Sequence, residues 1–421
     1  MALPPPPAAG MTHAASHSEA ADVAVVGAGV VGLAAAWALA RRGLRVLLLE
    51  RADGPAQGAS FANGAQLSYA YTDAMAGPAL WRQLPAMLSG RDPALRLRLS
   101  ADPQFLRWGL ALLGNATAAR QRRNTLATLA LALESRAAMD ALLARHPIDF
   151  QHRVAGKLHL HFDANARPRA QAMIEAKRPF GVRQRWLDAA EAVALEPALA
   201  GVRGMVGAVH SPEEEVGDPH RFCAGLLDVL QAGYGVEARF GFDLRGAHRR
   251  HDGWRLVSAD GEALHAGRLM VCAGIDSHGL LRSMGIASPL MAIKGHSFTA
   301  PCGPNPPSAS ITDTARKLVF CRLGDRIRVA GLADINDWDA APDPARLAQL
   351  VALARASLPD AADYDRIEHR WAGLRPATPH SSPVIRRIDD RLLLNIGHGM
   401  LGWTLAMGSG ERAARLLLAP A

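Results

Sequence analysis

Residues 21–51 read ADVAVVGAGVVGLAAAWALARRGLRVLLLER, and their reading decides the fold. The apolar run 23–26 has the look of a buried strand stopped by glycine. Gly27, Gly29 and Gly32 follow as G-x-G-x-x-G, and the Ala/Leu-rich run 30–41 reads as a helix with Gly43 as its C-cap. A second apolar run, 45–49, ends in Glu50. Strand, glycine turn, helix and strand in about thirty residues form a dinucleotide-binding unit. Gly27 permits the tight turn, Gly29 lets the backbone approach a pyrophosphate, and Gly32 lets the helix sit close on the strand. The helix start offers free N–H groups and a positive dipole end to the phosphates, and Glu50 accepts from ribose hydroxyls. A 2′-phosphate at that carboxylate would be repelled, which excludes NADP. Residues 23–40 are uncharged and nearly long enough to span a bilayer. Three early glycines and an immediate second strand fit a βα unit and no membrane span.

A chain of 421 residues holds two domains with full cores. Charged residues are 20% and apolar ones 49%, a globular balance. The net charge is +8, carried by arginine; the only lysines are Lys157, Lys177, Lys294 and Lys317. No basic tract interleaves with aromatics, so nucleic acid is not expected, though the charge favours an anionic membrane surface. Cys223, Cys272, Cys302 and Cys321 make no zinc spacing and read as reduced cytosolic thiols; no metal is expected. Residues 1–20 carry a four-proline run and no secretory pattern, and are expected to be a disordered tail.

Beyond Glu50, residues 58–66 (GASFANGAQ) form a small polar loop suited to lie against a large ligand. Residues 79–146 have helical spacing, broken near Pro93 and Pro103, and are expected to cover a site. In 156–162 (GKLHLHF), His159 and His161 alternate with Leu158 and Leu160 and are expected on a solvated face. Asp218 and Pro219 open a helix as N-cap and first residue. A strand at 268–272 runs into Ala273-Gly274 and a helix at 277–284, a second phosphate-facing turn. Two stretches, 289–299 and 318–330, read as strands of a second sheet, and 345–358 as an amphipathic helix. Residues 392–418 repeat strand, glycine-rich turn and helix, with the helix start near Trp403 aimed at a ligand reached by Gly397, His398 and Gly399.

Together these residues resemble the FAD-dependent D-amino acid oxidase superfamily, most closely its bacterial D-amino acid dehydrogenases, over nearly the full length. The resemblance rests on the nucleotide loop with Glu50; Ser60, Asn63, Gly64 and Gln66; EPAL at 196–199; Gly217-Asp218; Lys294-Gly295; GLRPATP at 373–379; and Gly397-His398-Gly399 with Gly402-Trp403-Thr404. It implies an α/β fold: a discontinuous Rossmann-like FAD domain (21–80, 215–288 and 384–421) and an inserted substrate domain on a mixed sheet (81–214 and 289–383). FAD contacts are expected at Val26, Gly27, Ala28, Gly29, Val30, Val31, Gly32, Glu50 and Arg51. Further contacts are expected at Ser60, Asn63, Gly64, Gln66, Leu244, Ala273 and Gly274. The closing turn adds Gly397, His398, Gly399, Gly402, Trp403 and Thr404. Arg375 is expected to clamp the substrate carboxylate, with His296 and Tyr71 lining the pocket. His398 is expected to stabilise charge at the flavin, and Lys294 to orient water or the flavin edge.

The implied reaction is oxidative deamination of a D-amino acid by hydride transfer to flavin N5, with electrons passed to a quinone or another acceptor. A same-fold enzyme acting on glycine, sarcosine or D-hydroxyproline is the alternative; a dinucleotide-binding module without amine oxidation is a third reading. The implied location is cytoplasmic, with peripheral contact at the inner face of the plasma membrane. Two departures bear on the substrate. The family's Lys-Gly-Tyr-Ser-Leu is here Lys294-Gly295-His296-Ser297-Phe298, and a frequent tyrosine is Arg316. Gly373 and Leu374 stand where relatives attach flavin through cysteine, so FAD is expected to be non-covalent.

Overall fold

The computed structural model describes residues 21–419; the expected tail at 1–20 lies outside them. In chain order the elements that position the site are β1 (Ala21–Val26), α1 (Val30–Ala40), β2 (Val46–Leu49), α2 (Ala79–Leu88), α3 (Pro103–Asn115), α4 (Ala118–Arg145), β3 (Lys157–His161), α5 (Pro219–Tyr234) and β4 (Ala263–Val271). They continue with β5 (Met291–Pro301), β6 (Ser310–Asp313), β7 (Leu318–Leu323), β8 (Arg326–Ile335), α6 (Pro344–Ser357), β9 (His369–Ala377), β10 (Leu392–Ile396) and α7 (Gly402–Leu418).

Two large sheets carry the molecule. The first has the order Glu237–Arg239, β2, β1, β4, with β10 beside β4; these five strands run parallel. Parallel strands are covered on both faces and read as unbroken apolar runs. That is why Val23, Ala24, Val25 and Leu48 are fully buried. An antiparallel hairpin, Leu244–Arg249 with Trp254–Ser258, extends β4. Helix α1 ends at Ala40, and Gly43 comes two residues past the cap with φ +83°, where it reverses the chain. Helices α1, α5 and α7 share one core with α4, which contributes Leu131, Ala132, Met139 and Leu142.

The second sheet has the order β9, β5, β8, β7, β6, β3, Gly207–Ser211, Arg185–Asp188. Strands β7 and β8 form a hairpin around Gly324, whose φ is +61°. Phe298, Phe320 and Val329 pack on one face against Leu350 and Ala354 of α6. The other face receives the loop 58–68 from the first sheet. Ser297 donates to the carbonyl of Ala62 at 2.6 Å, and a Cβ on Gly64 would come within 2.9 Å of Val319. The sheets are also joined by Asp218, which caps α5 and pairs with Arg328 of β8 at 3.1 Å.

The solvated face expected for His159 is not what forms. His159 is 2% exposed and its ring stacks on Tyr71 at 3.6 Å. Beside it, the Lys157 ammonium donates to Gln66 at 2.9 Å and to Ser68 at 2.7 Å, and lies 4.7 Å from the Tyr71 ring. A central strand in a wide sheet is covered on both sides, so alternation in 157–161 marks two buried faces, one apolar and one polar. His161 alone is partly exposed.

Candidate active site between the two sheets

The nucleotide loop is built as its glycines require. Gly27 has φ +103°, and a Cβ there would meet the carbonyl of Cys272 at 2.7 Å. A Cβ on Gly32 would fall 1.7 Å from the carbonyl oxygen of Gly27. Gly29 is different. Its backbone is extended (φ −72°, ψ 175°), which any residue adopts, and a Cβ would meet only Ser60 Oγ at 3.4 Å. The protein itself has no steric need for glycine there, and the space in front of it is open. Ser60 accepts from Val30 N–H at 3.1 Å; the rest of the first turn of α1 keeps N–H groups that a helix cannot satisfy internally. These groups fit a diphosphate.

Glu50 accepts from Ala28 N–H at 2.7 Å and from Ala52 N–H at 3.0 Å, one bond per carboxylate oxygen. Each oxygen retains a lone pair for a ribose hydroxyl. Leu244 lies two residues past Phe242, whose N–H donates to Glu50 O at 2.9 Å. Ala273 abuts Gly27, Gly274 has φ +55°, and Arg51 pairs with Asp276 at 2.9 Å across that turn. Val26, Ala28, Val30 and Val31 complete the loop wall.

Several of the expected cofactor residues spend their side chains on the protein. Asn63 accepts from Ala65 N–H at 2.9 Å and shapes a turn in which Ala65 has φ +56°. Gln66 bonds Lys157 and Ser310. Thr404 accepts from Ser68 N–H at 2.9 Å, which ties the loop to α7. The Trp403 indole packs with Phe150 and Phe222, which also touch each other, and its Nε1 is buried without a partner.

The strand that carries Arg375 and the turn that carries His398 meet through their backbones. Ala377, two residues beyond Arg375 on β9, bridges to His398, and Gly397 presses on Thr378. The Arg375 guanidinium lies over Gly295, where a Cβ would meet Nη2 at 2.0 Å. It donates through Nη1 to the carbonyl of Leu332 at 3.0 Å. Leu332 sits in a bulge of β8 with φ +59°, which aims that carbonyl at the site. The guanidinium makes no ion pair, and its other donors have no partner among the described residues; burial lowers its pKa to about 10. Asp334, the acid whose charge acts on Arg375, is committed to Arg346 at 2.6 Å.

Lys294 and His296 are not brought beside Arg375. By register Ile293 opposes Arg375, so Arg375 shares a face with Ile293, Gly295 and Ser297. Lys294 and His296 point to the other face, with Phe298. The Lys294 ammonium is buried 3.8 Å from Asp337 and 3.9 Å from Asp339. Tyr71, over β3, stands four strands from β5, roughly 19 Å at ~4.8 Å per strand. Sequence reading missed the Leu332 carbonyl, for which neither Gly nor Asn gave a sign. It also missed the Lys157 cluster, although a lysine in a strand of alternating leucines was a visible signal.

His398 is buried with Nε2 unpartnered, and burial lowers it to about 3; His296 is buried with both ring nitrogens unpartnered and is lowered to about 4, again chiefly by burial. Both are neutral imidazoles at pH 7. The unfolded chain protonates them near the ordinary value of 6.5, so it binds more protons than the fold below that pH. Stability is therefore lost as pH falls from about 6.5, by up to ~1.4 kcal/mol per unit per histidine. Glu214, raised by burial, acts in the opposite sense. Urea titrations between pH 7 and 5 on apoprotein are expected to show a shallower loss in His296→Gln/His398→Gln than in wild type; equal slopes refute the assignment.

Residues 22–416 match the family model described as DAO, FAD dependent oxidoreductase. The chain is 42% identical to D-amino acid dehydrogenase 2 of Ralstonia nicotianae, over 94% of this chain and 96% of that protein. It is 39% identical to D-amino acid dehydrogenase of Paramagnetospirillum magneticum, over 94% of each. Its fold matches glycine oxidase from Geobacillus kaustophilus with a TM-score of 0.73 at 21% identity, over 94% of each chain. It also matches L-proline dehydrogenase from P. horikoshii with a TM-score of 0.74 at 17% identity, over 95% and 94%. With nearly its whole length inside that model, the chain belongs to the DAO family of FAD-dependent oxidoreductases.

Proposed function

We propose that this chain carries out FAD-dependent oxidative deamination of D-amino acids and passes the electrons to a membrane quinone. The observation that carries the reading is the Arg375 guanidinium, part-buried with no counter-ion and with free donors. A cation in that state awaits an anion, and the planar fork matches a carboxylate. The names of the relatives support the D-amino acid, and the DAO match supports the cofactor.

FAD, held non-covalently, supplies the acceptor of the α-hydrogen with its electron pair. The chain does the rest. The turn 27–32, Glu50 and Ser60 would hold the dinucleotide; Arg375 would fix the substrate carboxylate and so the direction of the α-C–H bond. The start of α7 beside His398 would present a positive end toward the bound flavin. The ammonium proton goes to water before the amine binds, so as the α-C–H electron pair leaves, the nitrogen lone pair forms C=N and gives an iminium cation that sheds its proton to solvent on hydrolysis. No side chain beside Arg375 is placed as a general base, so the amine binds uncharged. Water then hydrolyses the imine to a 2-oxo acid and ammonia. The FAD domain is assigned to 21–80, 215–288 and 384–421, and the substrate domain to 81–214 and 289–383, with α4 crossing onto the FAD core.

The test is colour. Purified protein is expected to be yellow, to bleach anaerobically with a D-amino acid and not with its L-enantiomer, and to recolour slowly in air but fast with a soluble quinone. Bleaching by neither enantiomer defeats the substrate assignment; fast recolouring in air makes the enzyme an oxidase.

A further inference from the structure

Helices α2 and α3 bury one side each. Leu80 and Met87 of α2, and Trp108 and Leu112 of α3, pack on Ile293 and Ala377. Ile293 opposes Arg375 and Ala377 lies two residues beyond it, so the two helices roof the end of the sheet that carries Arg375. The Trp108 indole donates to the Ala377 carbonyl at 3.0 Å and fixes that roof.

Its outer side is apolar. Trp81, Leu88, Leu99, Leu106 and Leu110 are all exposed, Leu110 by 70% and Leu99 by 67%. Leu106 and Leu110 stand one turn apart, on the side of α3 away from Trp108 and Leu112. The Trp81 indole donates to the carbonyl of Ala116 at 3.2 Å, just past α3, and joins the outer faces of the two helices. Five of the fourteen large apolar side chains exposed among the described residues fall in residues 79–116, a concentration uncommon on a surface made only for water.

The charge around it is mostly positive. Residues 79–116 contain five arginines and two aspartates. Asp92 pairs with Lys317 and Asp102 caps α3. Arg96 and Arg98 pair with Asp343 and Asp337. Arg82, Arg91 and Arg107 are exposed and form no ion pair among the described residues. What the surface offers is leucine, tryptophan and uncompensated guanidinium. Among the described residues no helix is long and apolar enough to cross a membrane.

We propose that the α2–α3 roof is a docking surface for an anionic phospholipid bilayer. Leu88, Leu106, Leu110 and Trp81 enter the boundary between headgroups and acyl chains, while Arg82, Arg91 and Arg107 meet lipid phosphates. This rests on the reading of a membrane-dissolved acceptor, because docking there sets the Arg375 end of the sheet one helix layer, about 10 Å, from the lipid.

Holoenzyme is floated with protein-free vesicles of phosphatidylcholine, or of phosphatidylcholine with phosphatidylglycerol. Amine oxidation with a soluble dye is read on the same preparations, so failure to float and failure to oxidise are separate results. Wild type is expected to float with the anionic vesicles and to be released by salt. Leu88→Ser/Leu106→Ser/Leu110→Ser is expected to lose about a hundredfold in partition with dye turnover unchanged. Arg82→Gln/Arg91→Gln/Arg107→Gln is expected to lose roughly fivefold per charge and the preference for anionic lipid. Wild type that ignores both vesicles, or a leucine variant that floats like wild type, overturns the proposal. So does binding seen only with membranes that contain integral proteins, which makes the partner a protein.

Discussion

Arg375→Met is expected to lose roughly thirty- to several-thousand-fold in kcat/KM for a D-amino acid. The range follows from the buried pair it would break. Truncating one member of a desolvated charge pair costs ~2–5 kcal/mol, and ~1.4 kcal/mol is a factor of ten. Flavin content should barely change, since the proposed dinucleotide site, the turn at 27–32 with Glu50, does not include Arg375. Stability should hold or rise. The guanidinium has one hydrogen bond, to Leu332, and no counter-ion, and burial already lowers it to about 10. Removing an uncompensated, part-buried cation relieves a cost. Arg375→Lys should recover part of the rate, because an ammonium supplies the charge without the planar fork. An amine lacking the carboxylate is the control: wild type should oxidise it poorly, and the Met variant no worse. Equal losses on the acid and on the amine would show that Arg375 holds something other than the carboxylate.

What could be read from the chain divides by the range of the interaction. The βα unit was legible because every requirement in it is local: period, glycine positions, a terminal acid. The cap at Asp218-Pro219 was legible for the same reason, and the Asp218 carboxylate accepts from both His220 and Arg221 N–H. Arg375 and His398 were legible as motifs; that their segments meet depends on the bridge between Ala377 and His398 across separate parts of the chain. The faces of the second sheet were not legible. Which side His296 takes is set by the register of β5 on β9, and the bulge at Leu332 by the pairing of β8 with β5. Neither leaves a mark in a single strand. The polar face of β3 was misjudged because alternation reports two different faces without saying that one is wet. The lysines carry a hint in retrospect. Three of the four, Lys157, Lys177 and Lys294, are buried, in a chain whose surface cations are arginines. A compact ammonium fits where a planar guanidinium does not.

Gly29→Ala and Gly32→Ala add the same methyl group three residues apart and are expected to fail in different ways. At Gly32 the new Cβ would lie 1.7 Å from the carbonyl oxygen of Gly27, inside the turn. Overpacking costs ~1–3 kcal/mol where neighbours can shift. Here the obstacle is backbone, and Gly27 is itself pinned against the carbonyl of Cys272 by its φ of +103°. The loss therefore sits at or above the top of that range, and the apoprotein should melt several degrees lower or fail to accumulate in soluble form. At Gly29 the backbone already suits alanine and the methyl meets only Ser60 Oγ at 3.4 Å. The apoprotein should lose no more than ~1 kcal/mol, the difference between glycine and alanine at an N-cap. Its FAD affinity should fall at least about tenfold, because the methyl occupies the approach of the diphosphate to the start of α1. Flavin released on denaturation, counted against protein, reads the second effect; apoprotein melting reads the first. Gly29→Ala that keeps full flavin would mean that the diphosphate does not lie at this turn. Gly32→Ala that melts like wild type would mean that α1 can move off β1, and the close packing of helix on strand would no longer account for the third glycine.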